Sequence, residues 1–178
     1  MNRFILLLSV FILSISCAKE LGKKSVINEK SLDDQVREAY LKGIESLEEG
    51  DVIFAAKKFN EVEILFPQSD LAPKSSLMAA YSYYTQDYYE DTIMELQRFL
   101  KIYPKDKNLD YAYYMLGVAY YEQIVDEKKD LFSIIKAKDY FEYLIKKYPN
   151  TEYAFDADFK IELINDILAA KEIYVGRY

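Results

Sequence analysis

Apolar residues recur along most of this chain at intervals of three and four positions, the spacing of helices that bury one face. Three aromatic-proline pairs interrupt the pattern, and each predicts a helix end because proline lacks an amide N–H and clashes inside a helix. These pairs are Phe66-Pro67, Tyr103-Pro104 and Tyr148-Pro149. The small residues Gly43, Ala80 and Gly117 lie 37 positions apart. Repetition at this period predicts a solenoid of stacked helix pairs.

The pattern predicts three helix pairs and the first helix of a fourth pair. The first pair covers about 32–49 and 53–65, and the second about 74–86 and 88–102. The third pair begins with a helix at about 109–125, and its second helix is displaced by eight residues. The single helix of the fourth pair covers about 154–178. Ser31 is the expected N-cap of the first helix, and Asp34 completes a pattern like a capping box. The displacement arises from a charged insert at 126–130, which we interpret as a longer turn.

The start of the chain has the pattern of an export signal. Arg3 gives a positive charge, and the apolar run from Phe4 to Ile15 is shorter than the roughly 20 residues that span a bilayer. We therefore predict a signal peptide at residues 1–16. Ser16-Cys17 resembles a lipobox, although Ser14 stands where that motif usually has leucine, so we expect a diacylglycerol on Cys17. The alternative is an incidental cysteine in an ordinary secretory signal.

A lipid on Cys17 would tether the chain to a membrane, because each buried CH₂ contributes about 0.8 kcal/mol. Residues 17–30 are then the lipidated cysteine and linker, and residues 31–178 the repeat domain. Ala18 follows the cysteine where aspartate would, by resemblance to the bacterial sorting rule, signal retention in the inner membrane. The expected location is the cell outer membrane, with the chain lipid-anchored and facing the periplasm.

Composition favours helices and excludes several kinds of site. Only 5 glycines and 4 prolines accompany 51% hydrophobic residues, which favours an all-α domain. The absence of histidine and the single cysteine rule out a Ser/His/Asp triad and a His- or Cys-ligated zinc site. A net charge of −7 disfavours nucleic acid as a partner. Paired carboxylates could do acid–base chemistry, but we interpret them as solvated helix faces. We expect no enzyme, no metal and no cofactor besides the lipid on Cys17.

The repeat positions resemble the tetratricopeptide repeat. That repeat has a small residue on its first helix, a small and a large residue on its second helix, and a proline after the second helix. The matching positions are Gly43, Ala55, Phe59 and Pro67, then Ala80, Thr92, Leu96 and Pro104, then Gly117, Ala137, Phe141 and Pro149. Small residues let helices approach closely, and the large residue fills the groove between repeats. A bulky side chain at Gly117 would overpack this contact at a cost of about 1–3 kcal/mol. The resemblance implies an all-α, right-handed superhelix of helix pairs.

A narrower resemblance covers nearly all of the chain after the predicted signal peptide. Segments 103–117, 148–157, 168–172 and 175–178, with the insert in the third repeat, are similar to the BamD family, the tetratricopeptide lipoproteins of the outer-membrane β-barrel assembly machinery. The resemblance implies a non-enzymatic lipoprotein that binds unfolded outer-membrane protein precursors, the barrel-assembly subunit and other lipoproteins of the complex. It also implies that the first repeats receive the aromatic C-terminal signal of the precursor.

An alternative function is that of a periplasmic adaptor, also built of tetratricopeptide repeats, that coordinates peptidoglycan synthesis or envelope constriction. Those relatives usually carry an N-terminal coiled coil. Residues 18–31 leave no room for one, which favours the role in barrel assembly.

Tyrosines supply the candidate binding surface. All 18 follow the predicted signal peptide, and many lie on the first helices of the repeats, which line the concave face of such a superhelix. Positions three before, one after and four after each small residue should face this groove. They are Tyr40, Ile44, Leu47, Leu77, Tyr81, Tyr84, Tyr114, Val118 and Tyr121, of which Tyr40, Leu77, Tyr81, Tyr84, Tyr114 and Tyr121 are the peptide-groove candidates. Packing between repeats is the alternative for each ring. For the strip as a whole we favour binding, since unoccupied apolar surfaces are avoided.

The last predicted helix carries an apolar face with no second helix after it. Its residues are Phe155, Phe159, Ile164, Leu163, Ile167 and Leu168. Terminal repeats need a polar cap, because they otherwise expose the face that a neighbour would cover. We therefore expect that the chain is truncated at its C-terminus, or that a partner covers this face.

Overall fold

Seven α-helices form the described part of the chain, residues 30–124 and 131–176 of a computed structural model. They are α1 (Leu32–Glu48), α2 (Val52–Leu65), α3 (Leu71–Tyr84), α4 (Tyr89–Ile102), α5 (Leu109–Glu122), α6 (Phe132–Lys147) and α7 (Glu152–Gly176). No β-strand occurs in these two ranges. The prediction of an all-α fold is therefore confirmed. The predicted signal peptide, Cys17 and the insert at 126–130 lie outside the described residues.

The aromatic-proline pairs end three helices in the same way. Phe66, Tyr103 and Tyr148 leave helical geometry with φ of −131°, −118° and −131°. Each still donates its amide N–H to a carbonyl of the preceding turn, on Val62, Phe99 and Leu144 respectively. The proline that follows cannot continue the helix, so α2, α4 and α6 stop where the pattern predicts.

The predicted start of α3 was wrong. The pattern placed it at Lys74, after Pro73, whereas the helix begins at Leu71. Proline is tolerated in the first turn because the first amides of a helix have no intrahelical acceptor. Whether a proline ends a helix therefore depends on whether another residue at that position would have donated its amide N–H to an intrahelical carbonyl.

Consecutive helices pack on one another throughout the repeat domain. Helix α1 also contacts α3, and α5 contacts α7, so the first helices of successive repeats lie side by side. The eight repeat-packing candidates are all buried: Gly43, Ala55, Phe59, Ala80, Leu96, Gly117, Ala137 and Phe141. A Cβ added to Gly43 would lie 2.7 Å from the Phe59 ring, and one added to Gly117 would overlap the Phe141 ring. The two glycines thus allow helix contacts that a side chain would block.

A charged cluster joins α2, α3 and α4 beside this core. The Arg98 guanidinium donates to Glu95 at 2.6 Å, to Asn60 at 2.9 Å and to Ser76 at 3.3 Å, and it also pairs with Glu63. Glu63 is 6% exposed, and its Oε1 has no hydrogen-bond partner among the described residues. Arg98 therefore neutralises a carboxylate that would otherwise be buried without a countercharge.

Helix α7 covers the last repeat with one face and leaves another exposed. The apolar face that the sequence predicts to be uncovered is in fact partly covered. Ile164 is fully buried, and Ile167 and Leu168 pack against the core. Phe155, Phe159 and Leu163 are exposed. In residues 30–124 and 131–176, no helix has both the length and the apolar character needed to cross a bilayer.

Candidate functional site

A groove of about 570 Å³ lies along the first helices of successive repeats. It is lined by side chains from α3 and the residue before it, from the turn before α5, from the first turn of α5 and from the start of α7. The apolar and aromatic members are Pro73, Leu77, Met78, Tyr81, Tyr111 and Tyr153, and the polar members are Asp70, Lys74, Asp106, Lys107, Asn108 and Asp110. A lining that combines aromatic, apolar and charged side chains suits an extended polypeptide segment.

Local structure explains how these side chains reach the groove. Pro73, Leu77 and Tyr81 are spaced by four residues on α3 and therefore share one face of the helix. In the turn before α5, the Asp106 carboxylate accepts hydrogen bonds from the Asn108 backbone amide at 2.8 Å and from its Nδ2 at 2.9 Å. This local bonding holds the polar rim in place beside the first turn of α5.

The tyrosines of α5 and α7 form one packed group. The Tyr153 ring lies 5.6 Å from that of Tyr111 and 5.2 Å from that of Tyr114, measured between centroids. The Tyr114 hydroxyl donates to Asp156 Oδ2 at 2.7 Å. Burial, and to a smaller extent the neighbouring Tyr153, raises the pKa of Tyr111 to about 12. Burial and then the hydrogen bond to Asp156 raise the pKa of Tyr114. Both hydroxyls stay protonated at neutral pH, and the proton of Tyr114 is already donated to Asp156.

One cation connects the groove to the first repeat. Lys74 lines the groove, and its Nζ lies 5.2 Å from the centroid of the Tyr40 ring. Tyr40 in turn meets Phe59 edge-on at 5.4 Å. A cation held over an aromatic ring keeps its charge but loses some of its freedom. Lys74 is therefore a positioned positive charge at the edge of the groove.

The six peptide-groove candidates occupy different environments. Leu77 and Tyr81 line the groove, and Tyr81 is 39% exposed. Tyr84 packs on Tyr89 at 6.0 Å. Tyr121 lies beneath Lys160, whose Nζ is 5.2 Å from the ring centroid. Tyr40 and Tyr114 pack as described above. The structure therefore places two of the six candidates in the groove lining and the other four in contacts within or between helix pairs.

Sequence reasoning missed Tyr111, Tyr153 and Lys74. Lys74 and Tyr111 each lie six positions before the small residue of their helix. The groove positions predicted from the sequence begin only three positions before it, about one helical turn later. Continuing the same helical face by one turn toward the N-terminus would have found both. Tyr153 occupies the matching part of α7, where no small residue marks the register. The groove therefore extends further toward the helix starts than the pattern predicts.

The described residues offer binding groups rather than a reactive centre. No group of three or more Cys, Asp or Glu side chains within residues 30–124 and 131–176 could hold a metal ion. A shallower depression of about 520 Å³ on α1 is lined by that helix alone, mainly by charged residues from Asp34 to Glu45. The groove along α3, α5 and α7 is the better candidate because three helices contribute to it.

Comparisons with known proteins identify both the fold and the family. A solved structure of the first tetratricopeptide domain of Spaghetti (RPAP3), bound to an HSP90 peptide, matches 76% of this chain and 94% of that domain with a TM-score of 0.56 and 16% identity. This likeness confirms the predicted fold of tetratricopeptide helix pairs.

Curated relatives carry one shared description, outer membrane protein assembly factor BamD. The protein from Caulobacter vibrioides is 35% identical over 162 residues, which cover 91% of this chain and 52% of that protein. The protein from Rickettsia prowazekii is 34% identical over 157 residues, which cover 88% of this chain and 62% of that protein. The chain thus spans between half and two thirds of the length of these relatives.

The family model agrees with the individual relatives and covers the whole repeat domain. The model described as YfiO, outer membrane lipoprotein, matches residues 32–178. This range includes every helix of the described structure. The resemblance to the BamD family is confirmed, and the chain belongs to the YfiO (BamD) family of outer membrane lipoproteins.

Proposed function

We propose that this protein is a non-enzymatic receptor of the outer-membrane β-barrel assembly machinery that holds segments of unfolded outer-membrane protein precursors. The observation that carries the proposal is the groove along α3, α5 and α7. Its exposed Tyr81 ring and neighbouring Leu77 offer apolar contact, and tyrosine hydroxyls can meet the unpaired backbone groups of an extended segment. Relatives described as assembly factors support this role over that of a peptidoglycan adaptor.

The ligand we propose is an extended segment that ends in an aromatic residue. The groove is open rather than closed around a small molecule, and its lining carries both Lys74 and acidic side chains such as Asp110. The positive charge held at Lys74 suits a terminal carboxylate, while the aromatic lining suits the adjacent ring. The RPAP3 domain of the same fold is bound to a peptide, which supports a peptide as the class of ligand.

Membrane anchoring completes the proposed role. A lipid on Cys17 would hold the repeats at the periplasmic face of the outer membrane, where precursors arrive and where the barrel-assembly subunit and other lipoproteins of the complex reside. Family membership supports an outer-membrane lipoprotein. The lipid, the orientation and these partners are part of the proposal.

Peptide binding by matched tyrosine variants tests the groove. The probe is a fluorescein-labelled peptide of about ten residues with alternating apolar positions and a C-terminal phenylalanine. Tyr81→Ala should weaken binding at least about fivefold if the ring is a contact in the groove. Tyr88→Ala is the control, since Tyr88 is similarly exposed at 42% but lies outside the groove.

Thermal melting of the same samples separates binding from folding. Both variants should melt close to the parent protein, because both side chains are exposed. If Tyr81→Ala binds the peptide as the parent does, or if both variants weaken binding equally, the groove is not the receptor site.

A further inference from the structure

Lys74 lines the groove as a cation that no carboxylate neutralises. Its Nζ lies 5.2 Å from the centroid of the Tyr40 ring. Within residues 30–124 and 131–176 it forms no ion pair, and Asp70, four positions earlier on the same side of the groove, is not paired with it. An ammonium without a countercharge can form a charge-assisted hydrogen bond with an anionic group of a ligand.

The far side of the groove is acidic by comparison. Asp106 and Asp110 stand on either side of the second groove lysine, Lys107, in the turn and first turn of α5. Burial, and after it the carboxylates of Glu152 and Asp110, raise the pKa of Tyr153 at the start of α7, so both carboxylates lie near that ring. An anionic group is therefore favoured at the α3 side of the groove and disfavoured at the α7 side.

Tyr40 holds the Lys74 ammonium in place although it does not itself line the groove. Its ring meets the Phe59 ring edge-on with 5.4 Å between centroids, and Phe59 is fully buried. Tyr40 thus packs against the core of the first repeat. Attraction between a cation and a ring fixed in this way restricts the directions that the lysine can take. The first repeat therefore orients a groove cation without contributing a side chain to the lining.

The lining side chains also define a path across three helices. Lys74, Leu77 and Tyr81 share one face of α3, because they are spaced by three and four residues. Tyr111 follows on α5, and its ring contacts that of Tyr153 on α7. Neighbouring helix axes are about 8–10 Å apart, and an extended chain advances about 3.3 Å per residue. An extended segment therefore covers about three residues between one helix and the next.

We propose that Tyr40 positions Lys74 to bind the carboxylate at the end of the ligand chain, so that the ligand crosses the groove in one direction only. The last residue contacts the face of α3, the residue about three before it lies at Tyr111, and the residue about six before it lies at Tyr153. The inference rests on the proposed function and adds to it a direction of binding and a role for the first repeat. The opposite direction would place the carboxylate beside the acidic side chains near the start of α7.

A pair of peptides tests recognition of the carboxylate by the 178-residue chain. The peptide that ends in phenylalanine is labelled with fluorescein at its N-terminus and made both as the free acid and as the terminal amide. The parent chain should bind the acid at least about fivefold more tightly. Lys74→Met should bind both peptides with the affinity that the parent shows for the amide. Lys107→Met is the control, because Lys107 also lines the groove but stands between two aspartates, and it should keep the preference.

Variants of Tyr40 separate positioning from folding. Tyr40→Phe keeps a ring beneath Lys74 and should keep the preference for the acid. Tyr40→Leu should lose most of this preference while it binds the amide as the parent does. A purely structural role would instead lower the melting temperature and weaken binding of both peptides together. An unchanged ratio of acid to amide affinity in Tyr40→Leu would contradict the positioning role.

Photocrosslinking measures the direction of the bound segment. Two peptides with free terminal carboxylates carry benzoylphenylalanine, one at the last residue and one six residues before it. Mass spectrometry should find the first label attached to α3 near Leu77 or Met78, and the second attached near Tyr153 at the start of α7. The reverse assignment, or attachment of each label to both helices, would overturn the proposed direction.

The binding data distinguish failure of this inference from failure of the proposed function. If acid and amide bind the parent equally while Tyr81→Ala weakens both, the inference is wrong and the proposed function stands. If an amide peptide with aspartate beside its last residue binds as tightly as the acid, Lys74 binds any carboxylate and does not select the chain end. If the parent binds neither the acid nor the amide, the proposed function and the inference both fail.

Discussion

Gly117 on α5 and Phe141 on α6 fit together because the glycine has no side chain. A Cβ at Gly117 would overlap the Phe141 ring, and a Cβ at Gly43 would lie 2.7 Å from Phe59 in the first repeat. The second repeat has Ala80 and Leu96 at the same positions, both buried. In the second repeat the small residue is therefore bulkier than glycine, and the large residue is smaller than phenylalanine. The three repeats conserve the total volume of the pair rather than its residue types.

Exchanging residues between these pairs should therefore be tolerated. Gly117→Ala alone should lower the free energy of unfolding by about 1–3 kcal/mol through overpacking, partly offset by better helix propensity. Phe141→Leu alone should lower it by about 1–2 kcal/mol through lost contacts. The double variant, which copies Ala80 and Leu96, should lose less than the sum of the two. Urea unfolding of all four proteins measures this coupling, and strict additivity would contradict a direct contact.

Removing Arg98 should destabilise the protein more than breaking a surface ion pair. Arg98→Ala leaves the Glu63 carboxylate, which is 6% exposed, without its basic partner. We expect a loss of about 2–4 kcal/mol in the free energy of unfolding. Lys58→Ala, which breaks the more exposed pair between Lys58 and Glu61, is the control and should cost less than about 1 kcal/mol. Urea denaturation at neutral pH compares them, and equal losses would show that burial of Glu63 is unimportant.

Burial of Tyr111 should make stability depend on pH in the alkaline range. Its pKa is raised to about 12, whereas tyrosine in an unfolded chain ionises near pH 10. Between pH 10 and about 12 the unfolded chain therefore loses a proton that the folded chain keeps, and the free energy of unfolding falls as pH rises. Tyr111 should contribute about 2–3 kcal/mol to this fall, and its contribution is fully present below pH 10.

Hydroxyl removal isolates the contribution of this residue from that of other tyrosines. Tyr111→Phe should show a smaller loss of stability between pH 9 and pH 12 than the parent protein. Denaturant unfolding at several pH values gives the curves. Parallel curves for Tyr111→Phe and the parent would contradict preferential ionisation of the unfolded state.

Lipidation at Cys17 predicts a change of location without a change of fold. Cys17→Ser should move the protein from the membrane fraction to the soluble periplasmic fraction, because the acyl chains supply the membrane affinity. Ser14→Leu, which restores the residue usual in the lipobox, is the control and should leave the protein on the membrane. Cell fractionation and immunoblotting follow both variants. Membrane retention of Cys17→Ser would contradict a lipid anchor at this residue.

Local sequence determined most of the helices and the pairing pattern of this protein. The aromatic-proline pairs end α2, α4 and α6 because a missing amide N–H has the same effect in any context. Gly43 and Gly117 mark close helix contacts because only a residue without a side chain fits there. These features, with the family motifs, suffice for the fold and for the family. Pro73 is the exception, since its effect depends on its position within the turn.

Tertiary structure decided which side chains are available for binding. Tyr81 and Tyr114 occupy related positions on their helices, yet Tyr81 lines the groove while Tyr114 donates a hydrogen bond to Asp156, 42 residues further along the chain. Ile164 is buried, whereas Phe159 on the same helix is exposed. Periodicity specifies that a residue lies on an apolar face of its helix. Whether a neighbouring repeat covers that face depends on stacking between distant segments, and no local pattern encodes it.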